Sequence, residues 1–149
     1  MRAVVLEQED YDAWVQEQLQ PATIPTDAAA QRGYELFGRH CVSCHVVNGL
    51  YESATNGNAN LTSGYAPNLT HLMTRTSFAG SVFELYNDNG SVNIADLREW
   101  VRDAPTLKPA RADNRQGMIS FAEILNESDL DDLVTYLTTL GGRPPLMPS

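Results

Sequence analysis

The sequence holds two cysteines, three positions apart, with a histidine directly behind them: Cys41-Val42-Ser43-Cys44-His45. CxxCH is the attachment signature of a c-type haem. The two thiols add across the haem vinyl groups as thioethers. Spacing within one helical turn brings both sulfurs under one edge of the porphyrin, and His45 supplies the proximal nitrogen to the iron. Competing uses of the pair are weaker. A disulfide across two intervening residues closes a trivial loop and stabilises little. A thioredoxin-type redox pair needs a βαβ setting, whereas the residues around this pair follow a helical pattern. A zinc site needs four ligands, with only His40 and His71 left to complete it. One CxxCH predicts one haem.

The remaining composition sets limits on size and partners. A chain of 149 residues with 42 % hydrophobic and 19 % charged residues is globular, with room for one domain and flanking segments. The net charge of −9 argues against nucleic acid and anionic lipid as partners, since both need a basic face. No apolar run reaches 18 residues, so no segment is expected to span a membrane. The start, Met1-Arg2-Ala3-Val4-Val5-Leu6, passes into Glu7-Gln8-Glu9-Asp10 without the pattern of a signal peptide. A monomer is the default expectation.

Along the chain the periodicity is mostly helical. Residues 3–6 have the composition of a strand end. Tyr11, Trp14 and Val15 fall at i, i+3, i+4 and predict a helix from Glu7 to Leu19. Pro21 and Pro25 stiffen a linker. A second helix begins near Thr26 or Asp27, both good caps, and runs through Gly33, Tyr34, Leu36 and Phe37 into the cysteine motif. Residues 46–66 are rich in Asn, Gly and Ser and predict a long loop. Short helices are expected over Pro67–Met73 and Phe78–Tyr86. Asn93 caps a helix through Asp103, with Leu97, Trp100 and Val101 on one face. Pro105 to Gln116 is a loop. Asn126 with Asp129 forms a capping pair for the last helix, whose stripe is Leu130, Leu133, Val134 and Leu137; Gly141-Gly142 ends it. The domain is expected to be all-α, with residues 1–26 a linker segment, 27–142 the haem domain and 143–149 a tail.

His45 leaves one axial position on the iron. The candidates are Met1, Met73, Met118, Met147, His40 and His71. Met1 and Met147 lie at the chain ends, and His40 adjoins Cys41 and cannot reach across the ring. Met73 sits among Leu69 and Leu72, where Met is ordinarily core filler. Met118 follows Gly117 in an irregular loop just before the last helix, and it is the preferred ligand. His/Met ligation raises the potential and favours electron transfer over catalysis. His71 is expected to be a buried, hydrogen-bonded side chain, and Tyr51 and Tyr65 to lie on the loop surface.

The residues resemble class I cytochromes c over roughly 27–142. Ala66-Pro67-Asn68-Leu69-Thr70-His71-Leu72-Met73-Thr74-Arg75 is similar to the family's GPNLxxLxxR segment. The resemblance implies that the Pro67 carbonyl accepts a hydrogen bond from Nδ1–H of His45 and that Arg75 faces a haem propionate. It also implies that Met118, in Met118-Ile119-Ser120-Phe121-Ala122-Glu123-Ile124, is the distal ligand. Gly33, Phe37 and Tyr136 look like the family's contact between crossed first and last helices. Trp100 is a candidate donor to a propionate, with plain core packing as the alternative. Three departures stand out: Ala66 replaces the usual Gly, Ala110 follows Lys108-Pro109, and no Pro follows Met118.

A narrower resemblance covers the start. Met1-Arg2-Ala3-Val4-Val5, Tyr11-Asp12-Ala13-Trp14-Val15 and Pro21-Ala22 are similar to the join after the dinuclear copper domain in subunit II of caa-type cytochrome c oxidases. Pro67 to Arg75, Asn93, Leu97 to Trp100 and Lys108-Pro109 resemble the cytochrome domain fused there. Met1 stands near the position of a copper ligand, but no other part of a copper site is present and it is assigned no metal. Haem attachment occurs outside the cytoplasm, so the resemblance implies a fragment of a membrane-anchored subunit on the extracytoplasmic side of a bacterial membrane. The function implied is single-electron transfer to the dinuclear copper centre from a respiratory donor, such as a cytochrome c or a quinol-oxidising complex. Three alternatives remain: a stand-alone or other-enzyme electron carrier, a gas sensor or peroxidase with an open sixth position, and a zinc-binding module.

Overall fold

The structure is a computed structural model and describes residues 4–51, 66–110, 117–142 and 144. Among these, the helices are α1 (Gln8–Gln18), α2 (Ala28–His40), α3 (Ile94–Leu107) and α4 (Glu127–Leu137), with a 3-10 turn at Leu72–Thr74. A two-stranded antiparallel ribbon joins β1 (Ser77–Phe78) to β2 (Phe83–Glu84).

Local chemistry fixes the helix ends. The Asp27 carboxylate accepts from the N–H groups of Ala29 and Ala30 and starts α2. Asn126 and Asp129 form the reciprocal capping box that opens α4. Asn93 caps α3. The regular part of α3 stops at Asp103, whose φ of −151° and ψ of 64° are not helical. Pro105 follows and lacks the N–H that would bond back to Val101. The break frees the Arg102 carbonyl, which accepts from the N–H of Phe121 at 2.8 Å. That bond ties the segment after Met118 to α3.

The frame is the crossing of α2 and α4. A Cβ at Gly33 would lie 2.0 Å from the Asp132 carbonyl oxygen, so only glycine lets the two backbones approach this closely. Phe37 meets Tyr136 edge-on at 5.5 Å in the same crossing. Arg32 clamps Asp132 through both Nε (2.6 Å) and a terminal nitrogen (2.8 Å). Arg98 and Arg102 of α3 hold Glu127, and Arg98 also holds Asp131 at 2.7 Å. One apolar core runs beneath, with Phe37, Leu85, Leu130, Leu133, Tyr136 and Leu140 almost wholly buried.

Several expectations are corrected. Residues 4–7 form no strand. Phe78–Tyr86 is the β1–β2 ribbon and not a helix. Its turn carries Ala79, Gly80 and Ser81 at positive φ, which no helix accommodates, and the Lys108 ammonium donates to the Ala79 carbonyl at 2.7 Å. The helix expected over Pro67–Met73 is reduced to the Leu72–Thr74 turn: the Asn68 side chain takes up the Thr70 N–H and hydroxyl, and both residues also bond to Asn48 across the loop. Tyr51 does not lie on the surface. It stacks on Tyr34 at 4.7 Å and Phe37 at 5.4 Å, and its hydroxyl donates to the Tyr34 carbonyl. Tyr65, Met1 and Met147 lie outside the described residues.

Candidate haem-binding site

The cysteine motif winds on from the end of α2. The Cys41 carbonyl accepts from the N–H of Cys44 (3.0 Å) and of His45 (2.8 Å), so the five residues make one turn. Cys41 is buried and Cys44 exposed, both as free thiols. Burial pushes the Cys41 thiol up to about 12.

His45 is held by the segment 22 residues further on. Its Nδ1 lies 2.9 Å from the Pro67 carbonyl oxygen. A carbonyl only accepts, so Nδ1 carries a proton, and in the neutral ring Nε2 keeps its lone pair. Burial lowers the His45 pKa and outweighs the Pro67 hydrogen bond, which raises it; Arg75 lowers it further. The imidazole is therefore kept neutral, as a metal ligand must be.

A polar network fixes Pro67 in turn. The Leu69 N–H donates to the Val46 carbonyl (2.8 Å), and the Asn48 N–H to the Thr70 hydroxyl (2.8 Å). Thr70 donates its backbone N–H (2.9 Å) and hydroxyl (2.6 Å) to the Asn68 side chain. Thr70 is 2 % exposed, and these bonds satisfy it. Sequence reasoning missed this part. Asn and Thr in a loop are common, and nothing local marks them as a brace.

The other expected site residues are placed as follows. The half-buried Arg75 guanidinium donates to the Asn68 carbonyl, and burial lowers its pKa. Trp100 lies half-buried against Phe78 (6.5 Å, edge-on) and Phe83 (6.3 Å). Phe78 and Phe83 come from the ribbon that the sequence pattern did not reveal. Met118 is half-buried against the core. Met73 is only 4 % exposed, with its N–H on Leu140 and its carbonyl accepting from the Tyr86 hydroxyl at 2.6 Å. His40 packs edge-on to Phe121. The expectation of a hydrogen-bonded His71 does not hold: both ring nitrogens are buried with no hydrogen-bond partner among the described residues.

These residues fit a covalent haem. Two free thiols flank one turn, an adjacent imidazole is fixed in the tautomer that leaves Nε2 available, and no described hydrogen bond uses that nitrogen. Among the described residues no cluster of three or more His, Cys, Asp or Glu could hold a bare metal ion.

The cytochrome c family pattern matches residues 30–141, and the chain belongs to that family. Its fold is that of a class I cytochrome c, a haem electron-transfer domain, and the family implies one covalently bound haem c. Two curated relatives are both named cytochrome c oxidase subunit 2. The one from Alkalihalophilus pseudofirmus is 28 % identical over 93 % of this chain and 34 % of its own length. The one from Bacillus sp. strain PS3 is 30 % identical over 91 % of this chain and 33 % of its own length. The chain thus spans about one third of the length of the curated relatives it matches. Among the described residues no helix is long and apolar enough to cross a membrane.

Proposed function

We propose that this chain is the cytochrome c portion of a cytochrome c oxidase subunit 2, passing single electrons from a respiratory donor to a dinuclear copper centre. The observation that carries the reading is the His45–Pro67 hydrogen bond beside the cysteine turn, in a chain whose similarity to oxidase subunits 2 extends across more than nine-tenths of its length. The relatives' names support a partner among the subunits of a cytochrome c oxidase; the copper domain and membrane subunits are the finer reading. Haem attachment outside the cytoplasm supports the extracytoplasmic side, and the oxidase relatives support a membrane-anchored subunit.

When bound, the haem supplies the one-electron couple, and no substrate bond is made or broken. Cys41 and Cys44 hold the macrocycle covalently. His45 donates Nε2 to the iron while Pro67 fixes its ring plane and increases its basicity. Met118 would supply the second ligand to the iron, which would close it to small molecules and raise its potential. Arg75 faces a propionate, where its fixed positive charge favours the reduced state. Trp100, packed against the stacked pair Phe78 and Phe83, would offer its indole N–H to a propionate. Residues 1–26 join the haem domain to the copper domain, and the isolated chain is a monomer.

The test is rapid mixing of the reduced, haem-loaded chain with the oxidised copper-bearing domain of an oxidase subunit 2. Haem oxidation matched in rate and amount by copper reduction is expected. Fast exchange with small mediators but none with the copper domain would favour a carrier serving another partner.

A further inference from the structure

Residues 108–110 leave the end of α3, and residues 117–121 come back to it. Backbone fixes the return: the Phe121 N–H donates to the Arg102 carbonyl at 2.8 Å, and Ser120 bridges to Asp103. The two arms touch at Ala110 and Gly117, where an added Cβ on the glycine would lie 3.0 Å from the Ala110 methyl. Met118 is the next residue, half-buried against the core. The outgoing arm is fastened differently. The Lys108 N–H still donates to the Ala104 carbonyl of α3 at 2.9 Å, but its side chain crosses to the ribbon, where the ammonium donates to the Ala79 carbonyl at 2.7 Å.

The ribbon turn is shaped to receive that ammonium. Ala79, Gly80 and Ser81 hold φ of 53°, 70° and 65°, a left-handed run that is costly for Ala and Ser. A Cβ at Gly80 would collide with the Lys108 nitrogen, so the ammonium occupies space that only glycine leaves. The turn is anchored from behind. Phe78 is buried, stacks on Phe83 at 5.3 Å and meets Trp100 of α3 edge-on at 6.5 Å. The Ala79 carbonyl is therefore a fixed point, and Lys108 ties the outgoing arm to it. We propose that Lys108 is a positioning residue for Met118: its clasp holds the arm on which Gly117 and Met118 rest, and so keeps the thioether at the iron. The proposal rests on the reading above that Met118 is the second ligand. A single exposed hydrogen bond is modest, so the clasp sets how often the thioether is off the iron, not whether it binds at all.

The test titrates the oxidised, haem-loaded full chain with imidazole, which reaches the iron only while the thioether is off. The apparent affinity then scales with that open fraction. Lys108→Met keeps the length of the side chain and loses the donor, and its imidazole dissociation constant is expected to fall about fivefold. Lys108→Arg restores most of the difference. Gly80→Ala expels the ammonium and shifts the constant in the same direction, with no further change when combined with Lys108→Met, the sign of two residues acting through one interaction. Gly90→Ala, also at positive φ but with nothing within 4 Å of its Cβ, leaves the constant unchanged and so separates turn strain from loss of the clasp. In a Met118→Ala background the iron is already open, and Lys108→Met has no effect. An unchanged constant in Lys108→Met, or an equal fall in the Met118→Ala background, overturns the proposal. An unaltered chain without a Met–iron charge-transfer band would instead overturn the ligand reading and the clasp with it, and that spectrum, recorded before imidazole is added, separates the two failures.

Discussion

The imidazole of His45 and the carbonyl of Pro67 are 2.9 Å apart, and that contact determines which nitrogen of the ring is free. Pro67 cannot donate, so Nδ1 carries a proton, and in the neutral ring that burial favours, Nε2 is unprotonated. The Asn48–Thr70–Asn68 bonds keep the carbonyl at that place. A histidine behind two cysteines becomes a prepared ligand only because a segment 22 residues away holds it.

Removal of that brace has a defined effect. Thr70→Val keeps the shape but removes the hydroxyl that accepts from the Asn48 N–H and donates to the Asn68 side chain, which keeps only the backbone N–H of residue 70 and its bond to Asn48. A loss of about 1–3 kcal/mol is expected in denaturant unfolding. Nδ1 of His45 should also exchange its proton faster in nitrogen-15 spectra.

The α2–α4 crossing is intolerant of volume. Gly33→Ala drives a methyl into the Asp132 carbonyl, and backbone cannot yield as a side chain does. Destabilisation of about 3 kcal/mol is expected from chemical denaturation. Gly90→Ala provides the contrast: nothing lies within 4 Å of its Cβ, so the cost there comes only from its positive φ.

Tyr51 anchors the loop that follows the cysteine turn. Tyr51→Phe loses the bond to the Tyr34 carbonyl and is expected to cost about 1 kcal/mol. Tyr51→Ala also loses the stacks on Tyr34 and Phe37, for a total of about 3 kcal/mol. Thermal unfolding of the two variants in parallel checks the difference.

The two thiols should differ in reactivity before haem is attached. Cys41 is buried and its pKa is pushed up to about 12, so it stays protonated at neutral pH, whereas Cys44 is exposed. Iodoacetamide is expected to label Cys44 at least tenfold faster, since the thiolate is the nucleophile. Timed peptide mapping of the haem-free chain reads the ratio.

Glu127 couples the last two helices to pH. Its hydrogen bond with Arg98 lowers its pKa below the ordinary 4.5, and the charges of Arg102 and Arg98 add to this. Its folded-state pKa is depressed, so its contribution to stability is complete above that value and lost as pH falls through the folded pKa. Glu127→Gln should therefore flatten the stability profile below about pH 4.5 and change it little in slope near pH 7. Denaturation midpoints across the acid range measure this.

Helices with strong local signals were legible in the sequence. Asp27, Asn93 and Asn126 each cap the helix they predict, because a cap is a contact between neighbours in the chain. The cysteine turn was legible for the same reason. The β1–β2 ribbon was not, since Phe78, Leu85 and Tyr86 suit either periodicity and the decisive feature is the left-handed run at Ala79–Ser81. Nor was the burial of Tyr51, which depends on the space opposite Gly38, where an added Cβ would come within 3.2 Å of its ring. Long-range contacts of that kind leave no period to read. The contacts of Pro21 and Ala22 with residues 48–49, and of Glu17 in α1 with Gly142, belong to the same class.

The central claim, a Met118-ligated electron carrier, is tested most directly by the optical spectrum of the haem-loaded chain through a redox titration. The reduced end is then exposed to carbon monoxide. The account predicts one low-spin haem, a Met–iron charge-transfer band that is lost in Met118→Ala, a high potential and no carbon monoxide binding. A high-spin iron, a low potential or rapid carbon monoxide binding by the unaltered protein would contradict it and point to an open sixth position.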